Sequence, residues 1–275
     1  MNANNAAIES PYAKKGLVNR VLDAITDAGV SLDNLSPDNL MAFDEFHVRG
    51  RLATKELCEL AGINDKMHVL DIGSGLGGPS RFLAANYGCR VTGIDITREY
   101  CELAEVFAEK FNLNKKLNYH CGSATELPFD DCSFEAVWTQ HTAMNIKNKT
   151  KLYAESARVL KPAGKFIIYD ILAGANQPVY YPVPWARTDD ISFLATPVEM
   201  KTYLNKSDMD IIHWSDKTQI AIEWFQSMIE KINIDGPPKL SFQLFLGDDF
   251  VPMLTALLKN LKENRVAVVE IIAKK

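Results

Sequence analysis

One stretch constrains the fold more than any other: the short run Met67 to Ile72, apolar but for His68 and Asp71, followed at once by Gly73, Gly75, Gly77 and Gly78 and then by Pro79 and Ser80. The run has the length of a strand. Glycines tolerate positive φ and let a ligand approach main-chain N–H groups with no Cβ in the way, and a proline suits the first turn of a helix. The stretch therefore predicts strand, glycine turn and helix start, which is a ligand cradle at a helix N-terminus.

Gly73, Gly75 and Gly78 also fit the dinucleotide spacing G-x-G-x-x-G, with Asp95 at about the right distance to bind a ribose. Asp71 argues against that ligand. Alternation along a strand puts Asp71 on the same side as Gly73, where a carboxylate would repel a pyrophosphate. S-adenosylmethionine (SAM) has no phosphate and carries an ammonium, so Asp71 is expected to face that cation, directly or through water.

Asp71-Ile72-Gly73-Ser74-Gly75-Leu76-Gly77 resembles the first motif of the class I SAM-dependent methyltransferases, a strand ending Asp-x-Gly-x-Gly-x-Gly. A looser likeness runs from Asp44 to Asp216. It is similar to the sarcosine/dimethylglycine and phosphoethanolamine methyltransferases and, at greater distance, to the sterol and quinone methyltransferases. The resemblance implies an α/β Rossmann-like fold: a seven-stranded, mostly parallel sheet with helices on both faces, and a lid made of N-terminal helices and inserts. It implies SAM as cofactor, S-adenosylhomocysteine (SAH) as product, and no metal.

The 275 residues, 47% hydrophobic and 24% charged, suit a soluble globular protein. A net charge of −5 without a basic stripe argues against nucleic acid as partner. No run is long enough to cross a bilayer. Met1 to Asn5 lack a signal pattern, so a cytoplasmic protein is expected. The cysteines, Cys58, Cys89, Cys101, Cys121 and Cys132, have no metal-ligand spacing and read as thiols of a reducing compartment.

Along the chain, apolar spacing predicts helices over Tyr12 to Gly29, from Pro37 to near Phe43, and from Arg51 to Ala61 with Gly62 as the stop. Strands are expected at Met67 to Ile72, Arg90 to Asp95, Leu117 to Cys121, Ala136 to Thr139, Lys165 to Asp170, Ile211 to Trp214 and Val266 to Ala273, with Lys161 to Gly164 as a turn. Intervening helices are expected at Pro79 to Tyr87, Arg98 to Phe111, Asn148 to Leu160 and Pro197 to Asn205. The expected organisation is one methyltransferase domain over residues 1–275. It has a helical cap (1–62), a SAM-binding core (63–172) and two substrate-side inserts (173–196 and 217–265), since long insertions in compact domains tend to be functional.

Ligands of open parallel sheets bind outside the carboxyl ends of the strands. That rule gathers Asp71 to Gly77, Asp95-Ile96, Ser123-Ala124, Gln140-His141 and Asp170 to Ala173 around one cleft. Asp95 suits the two ribose hydroxyls, at ~1.5–3 kcal/mol for each charge-assisted bond, or else caps the next helix. Ile96 should lie against adenine. Ser123 stands where the family commonly has an aspartate, so Ser123 or a nearby backbone group reads the adenine amino group. Gln140 edges the methionine end or caps its loop. Phe46 and His47, by the resemblance, fold over the cofactor; His47 otherwise caps the helix from Arg51.

Methyl transfer needs alignment, exclusion of water and, for a protonated acceptor, a base. His141 is the candidate base, or a hydrogen-bonded wall of the site. Asn145 stands where the phosphoethanolamine methyltransferases carry a catalytic histidine and cannot act as a base. His68, His120 and His213 fall within strands and read as structural. Tyr181, Trp185 and Arg187 would form a wall for a zwitterion, rings over an amine and a guanidinium on a carboxylate, or else pack as a stiff loop. Trp224, Phe225, Phe242 and Phe245 read as the core of a lid.

The first expectation for function is N-methylation of a small amine such as sarcosine or dimethylglycine. The alternative is C- or O-methylation of a quinone- or sterol-like acceptor. Outside the class stand an NAD(P)-dependent oxidoreductase and a SAM-binding protein without turnover.

Overall fold

A computed structural model describes residues 16–275. The start of the helix expected from Tyr12, and the Met1 to Asn5 segment, lie outside the described residues. Seven strands form one sheet: β1 (His68–Ile72), β2 (Arg90–Asp95), β3 (Leu117–Cys121), β4 (Phe134–Gln140), β5 (Leu160–Ala173), β6 (Asp210–Asp216) and β7 (Val266–Lys274), in the order β3-β2-β1-β4-β5-β7-β6. The first five pair in parallel, and β7 is antiparallel to both β5 and β6.

Inner strands of such a sheet are covered on both faces and so read as nearly unbroken apolar runs. Alternate residues divide between two cores. Val69, Ala136, Trp138 and Ile167 face the layer built by α3 (Arg51–Ala61), α4 (Gly78–Asn86), α8 (Thr218–Asp235) and α10 (Phe250–Lys262). Leu70, Ile72, Val137 and Phe166 face α6 (Lys149–Val159) and α7 (Pro197–Lys206). A third cluster joins α1 (Leu17–Asp27) and α2 (Pro37–Asp44) to α5 (Arg98–Lys110) and to Phe245 of the short α9 (Gln243–Leu246).

Local chemistry sets the ends of these elements. Pro37 opens α2, where Asn39 Oδ1 accepts from the Ser36 N–H at 2.9 Å. Gly62 closes α3 in the left-handed conformation at φ 66°, the usual glycine stop. One expectation needs correction: Lys161 to Gly164 do not separate a helix from a strand. β5 begins at Leu160, and the pairing with β4 jumps from Phe134↔Leu160 to Ala136↔Lys165, so the predicted turn is looped out within the strand, with Ala163 at φ 64°. Among the described residues, no helix is long and apolar enough to cross a membrane.

Candidate functional site

A cavity of about 490 Å³ lies at the carboxyl ends of β1, β2, β3 and β4. Its floor is the glycine loop after β1. The Gly73 and Ser74 N–H groups both donate to Ile94 O, at 2.8 and 3.2 Å, and this straps the loop to β2. Gly73 has φ 74°, and a Cβ there would overlap the Thr142 side chain, which is why only glycine fits. Gly75, at φ 52°, faces open space and donates its N–H to Asp95 Oδ2 at 2.9 Å.

Eleven of the twelve residues expected at the cofactor line this cavity: Asp71, Gly73, Ser74 and Gly75 from the first loop, Asp95 and Ile96, Ser123 and Ala124, Gln140, and Phe46 and His47 from above. Gly77 is the exception. It caps the N-terminus of α4, and the position of its missing Cβ is taken by the Tyr119 hydroxyl and Arg81, so it is a packing glycine. Asp95 lines the cavity, and its Oδ1 accepts from the Thr97 N–H at 2.9 Å, Thr97 being the residue just before α5. His47 likewise lines the cavity and meets Gly50 O (2.8 Å) at the start of α3 and Thr54 Oγ1 (3.0 Å) within it. Ser123 Oγ is engaged with Thr125 Oγ1 at 2.9 Å.

Burial dominates the electrostatics. It raises the Asp71 carboxyl to about 7, with the Asp95 charge adding to the shift and a 2.5 Å bond from Ser80 Oγ opposing it. Burial also raises Asp95, against the N–H bonds it accepts. A cation entering the cavity would favour the ionised form of both. The arrangement is a partly enclosed chamber with the Asp71 and Asp95 carboxyl groups at its floor.

His141, at φ 51°, sits at the boundary with a second, smaller cavity of about 90 Å³. Both ring nitrogens are occupied. Nδ1 lies 3.1 Å from the carbonyl oxygen of Tyr169 and must donate to it, which leaves Nε2 to accept from the Val48 N–H at 3.2 Å. The ring stacks on Tyr169, with centroids 5.4 Å apart, and burial lowers its pKa to about 4. Such an imidazole is a wall of the site and a poor base near neutral pH. Asn145 also lines both cavities, and its amide donates to Trp185 O (2.8 Å) and Ile191 O (3.2 Å), holding the first insert in place.

The smaller cavity, or annex, shares Phe46, His47, His141 and Asn145 with the larger one and is otherwise walled by apolar side chains, among them Met144, Trp185, Trp224, Phe225, Leu254 and Leu257. Of the proposed zwitterion wall only Trp185 is there, with its indole N–H donating to Ser192 Oγ at 2.9 Å. Tyr181 and Arg187 line neither cavity. Arg187 is instead ion-paired with Asp249, a partner supplied by the second insert.

Two aromatic residues expected only as lid core belong to the site itself. Phe242 stacks on Phe46, with centroids 3.3 Å apart and planes at 19°, and Phe242 and Phe245 both line the larger cavity. Thr142, which shares the wall, carried no motif that would single it out. Its hydroxyl reaches Ile72 O at 3.2 Å and fills the space Gly73 leaves.

Comparison with known proteins agrees with this geometry. Residues 70–168 match the family described as "Methyltransferase domain". A sterol 24-C-methyltransferase of Gibberella zeae is 39% identical over 111 residues, covering 40% of this chain but only 29% of the relative's length. Among solved structures, phosphoethanolamine N-methyltransferase 2 of Haemonchus contortus superposes with a TM-score of 0.74 at 20% identity, over 93% of this chain and 60% of that one. The geranyl diphosphate C-methyltransferase of Streptomyces coelicolor A3(2) does so with a TM-score of 0.72 at 15% identity, over 99% and 98% of the two chains. Residues 70–168 are thus a methyltransferase domain, set in the sheet of the class I SAM-dependent methyltransferase fold.

Proposed function

We propose that this chain transfers the methyl group of SAM to a small-molecule acceptor whose reactive end lies in the apolar annex. The observation that carries the reading is the convergence of the glycine loop, Asp71 and Asp95 on one cavity, within a matched methyltransferase domain. SAM would lie over the loop, its ribose hydroxyls on Asp95, adenine between Ile96 and the Ser123-Ala124 turn, the ammonium on Asp71, and the methionine end beside Gln140. Phe46 and His47 close it from above. The acceptor's electron pair attacks the sulfonium methyl in line, the carbon–sulfur bond breaks with its electrons going to sulfur, and SAH remains.

The annex bears on which acceptor. A carboxylated amine such as sarcosine would want a free cation nearby, and Arg187 is committed to Asp249. The annex walls are apolar, and its two imidazoles are held neutral, His47 by burial and by the neighbouring His141, with a pKa near 3, and His141 by burial, with a pKa near 4. These features favour the C-methylation side of the alternatives: an apolar acceptor attacking through a carbon–carbon π bond, with no proton to remove first, the carbocation that results then losing a proton to water. A neutral tertiary amine is the second reading, since the aromatic rings of Trp185 and Trp224 in the annex wall suit the quaternary ammonium that its methylation creates.

The test is incubation with methyl-labelled SAM and a panel of alkenes, quinols, tertiary amines, sarcosine and dimethylglycine, read by mass spectrometry. Label on an alkene or on a tertiary amine without a carboxylate supports the proposal. Label confined to sarcosine or dimethylglycine overturns the acceptor assignment. Binding of NAD(P) with none of SAM, by calorimetry, overturns the whole reading, and SAM binding with no labelled product points to a protein without turnover.

A further inference from the structure

Lys149 is 6% exposed, at the first position of α6, and lines neither cavity. Its ammonium donates to three backbone carbonyls: Ala143 O at 2.6 Å, Ile146 O at 2.6 Å, and Phe193 O in the first insert. Three donors on a flexible stem can satisfy three converging carbonyls at once. An apolar side chain could fill the space but would take the ammonium from all three carbonyls and leave Ala143 O with the Ile146 N–H alone.

The carbonyls belong to the two pieces that wall the annex. Ala143 to Asn145 form a single turn after β4, and Met144 and Asn145 face the annex from it. Phe193 donates its own N–H back to Met144 O at 2.7 Å, and Asn145 holds Trp185 O and Ile191 O. On the opposite side of the turn, Asp170 of β5 accepts from the Ala143 N–H at 3.1 Å and from the Ile171 N–H at 2.9 Å. The turn is thus held at its amide end by a buried carboxylate and at its carbonyl end by a buried ammonium. Burial lowers the Lys149 pKa to about 8 against the Asp170 and Glu199 charges, and raises Asp170 to about 6 against Lys149 and its own N–H bonds.

We infer that Lys149 is a positioning residue for the acceptor pocket: by gathering the Ala143, Ile146 and Phe193 carbonyls it locks the turn after β4 to the first insert and so seats Asn145 against the Trp185 backbone in the wall of the annex. The inference rests on the reading of the annex as the acceptor's site. Lys149 touches no ligand; it acts through the backbone of residues that do. The glycine loop, Asp95-Ile96 and Ser123-Ala124, on which the proposed cofactor site chiefly rests, receive no bond from Lys149, although Asn145 and Ile146 of the turn it holds also line the larger cavity.

The experiment uses the full chain labelled with 5-fluorotryptophan, the Trp185 resonance being assigned with Trp185→Phe. Wild type, Lys149→Met and Lys149→Gln are compared by fluorine NMR, by amide hydrogen exchange, and by calorimetry with SAH as the probe. Lys149→Met should speed exchange over residues 183–193 by tenfold or more and shift or broaden the Trp185 signal, with SAH affinity within twofold of wild type. Lys149→Gln, which keeps a donor, should fall between the two. Unchanged exchange over 183–193 overturns the inference. So does an equal acceleration in the glycine loop with a matching loss of SAH affinity, which would make Lys149 a general core residue. If Lys149→Met does not fold, Lys149→Gln carries the test. Failure of wild type to bind SAH would sink the proposed function and leave the exchange result to be read separately.

Discussion

The floor and the roof of the cavity are built on different principles. The floor, Asp71 to Gly75 with Asp95-Ile96, comes from loops at strand ends and works through backbone approach, positive φ and two buried carboxyl groups. The roof and annex come from segments far apart in the chain, Phe46 against Phe242 and Trp185 beside Trp224, and work through packed rings. A substitution in the floor should therefore strike cofactor binding directly, whereas one among the annex residues that do not line the larger cavity, such as Trp185 or Trp224, should change what is accepted and spare the cofactor.

The sharpest way to break that contrast is Gly73→Ala. The new methyl group would overlap Thr142, and its backbone would be held at φ 74°, at a cost of about 1–3 kcal/mol for the strain before the overlap is counted. SAH affinity measured by calorimetry should fall about a hundredfold or more. Gly75→Ala, which meets nothing within 4 Å but is held at φ 52°, should cost less, the backbone strain without the overlap. Equal effects of the two would mean that steric fit in the loop is not what matters.

Asp95→Ala comes next. It removes the proposed ribose contact, worth ~1.5–3 kcal/mol or about 10–100-fold in affinity. It also frees the Gly75 and Thr97 N–H groups. Unchanged affinity with an intact thermal transition would show that the ribose lies elsewhere.

The contrast also marks how far each region is legible in the sequence. Strand ends fall within a residue or two of expectation at β1, β2, β3 and β7: β1 and β7 are buried almost throughout and read as apolar runs, while β3, at the sheet edge, alternates buried and exposed residues. The floor was readable because its residues are contiguous and their chemistry is local. The roof was not, because no local rule makes Phe46 the partner of Phe242. The same limit produced the Arg187 expectation: a loop arginine beside aromatics looks available for a carboxylate until the fold brings Asp249 to it. Gly77 misled for the opposite reason, since a glycine spared for packing against Tyr119 looks, in sequence, like one spared for a ligand.

A smaller effect sharpens the floor's electrostatics. With Asp71 raised to about 7 by burial, the empty site holds a mixture of neutral acid and carboxylate at neutral pH. A bound ammonium favours the carboxylate, so binding releases a proton below about pH 7. SAM affinity should rise with pH, approaching tenfold per unit on the acid side of about pH 7 and levelling above it. Asp71→Asn should flatten this dependence. An unaltered slope in that variant would assign the titration to another group.

The smallest expected effect is at His141, on the boundary between the two regions. Asparagine tolerates the left-handed backbone found there, and its amide can replace both the donor to Tyr169 O and the acceptor of the Val48 N–H. If His141 is wall, His141→Asn should keep turnover within about tenfold of wild type, whereas loss of a general base costs ~10²–10⁴-fold. Stability supplies a second readout. The folded protein keeps this imidazole neutral down to about pH 4, while the unfolded chain takes up a proton near 6.5, so its contribution is present above 6.5 and is lost as pH falls toward 4. Denaturant unfolding across that window should show a shallower acid-side decline in His141→Asn than in wild type. Collapse of turnover with an unchanged stability profile would instead put a proton-transfer step on this ring, and the annex would then have to admit acceptors that need one.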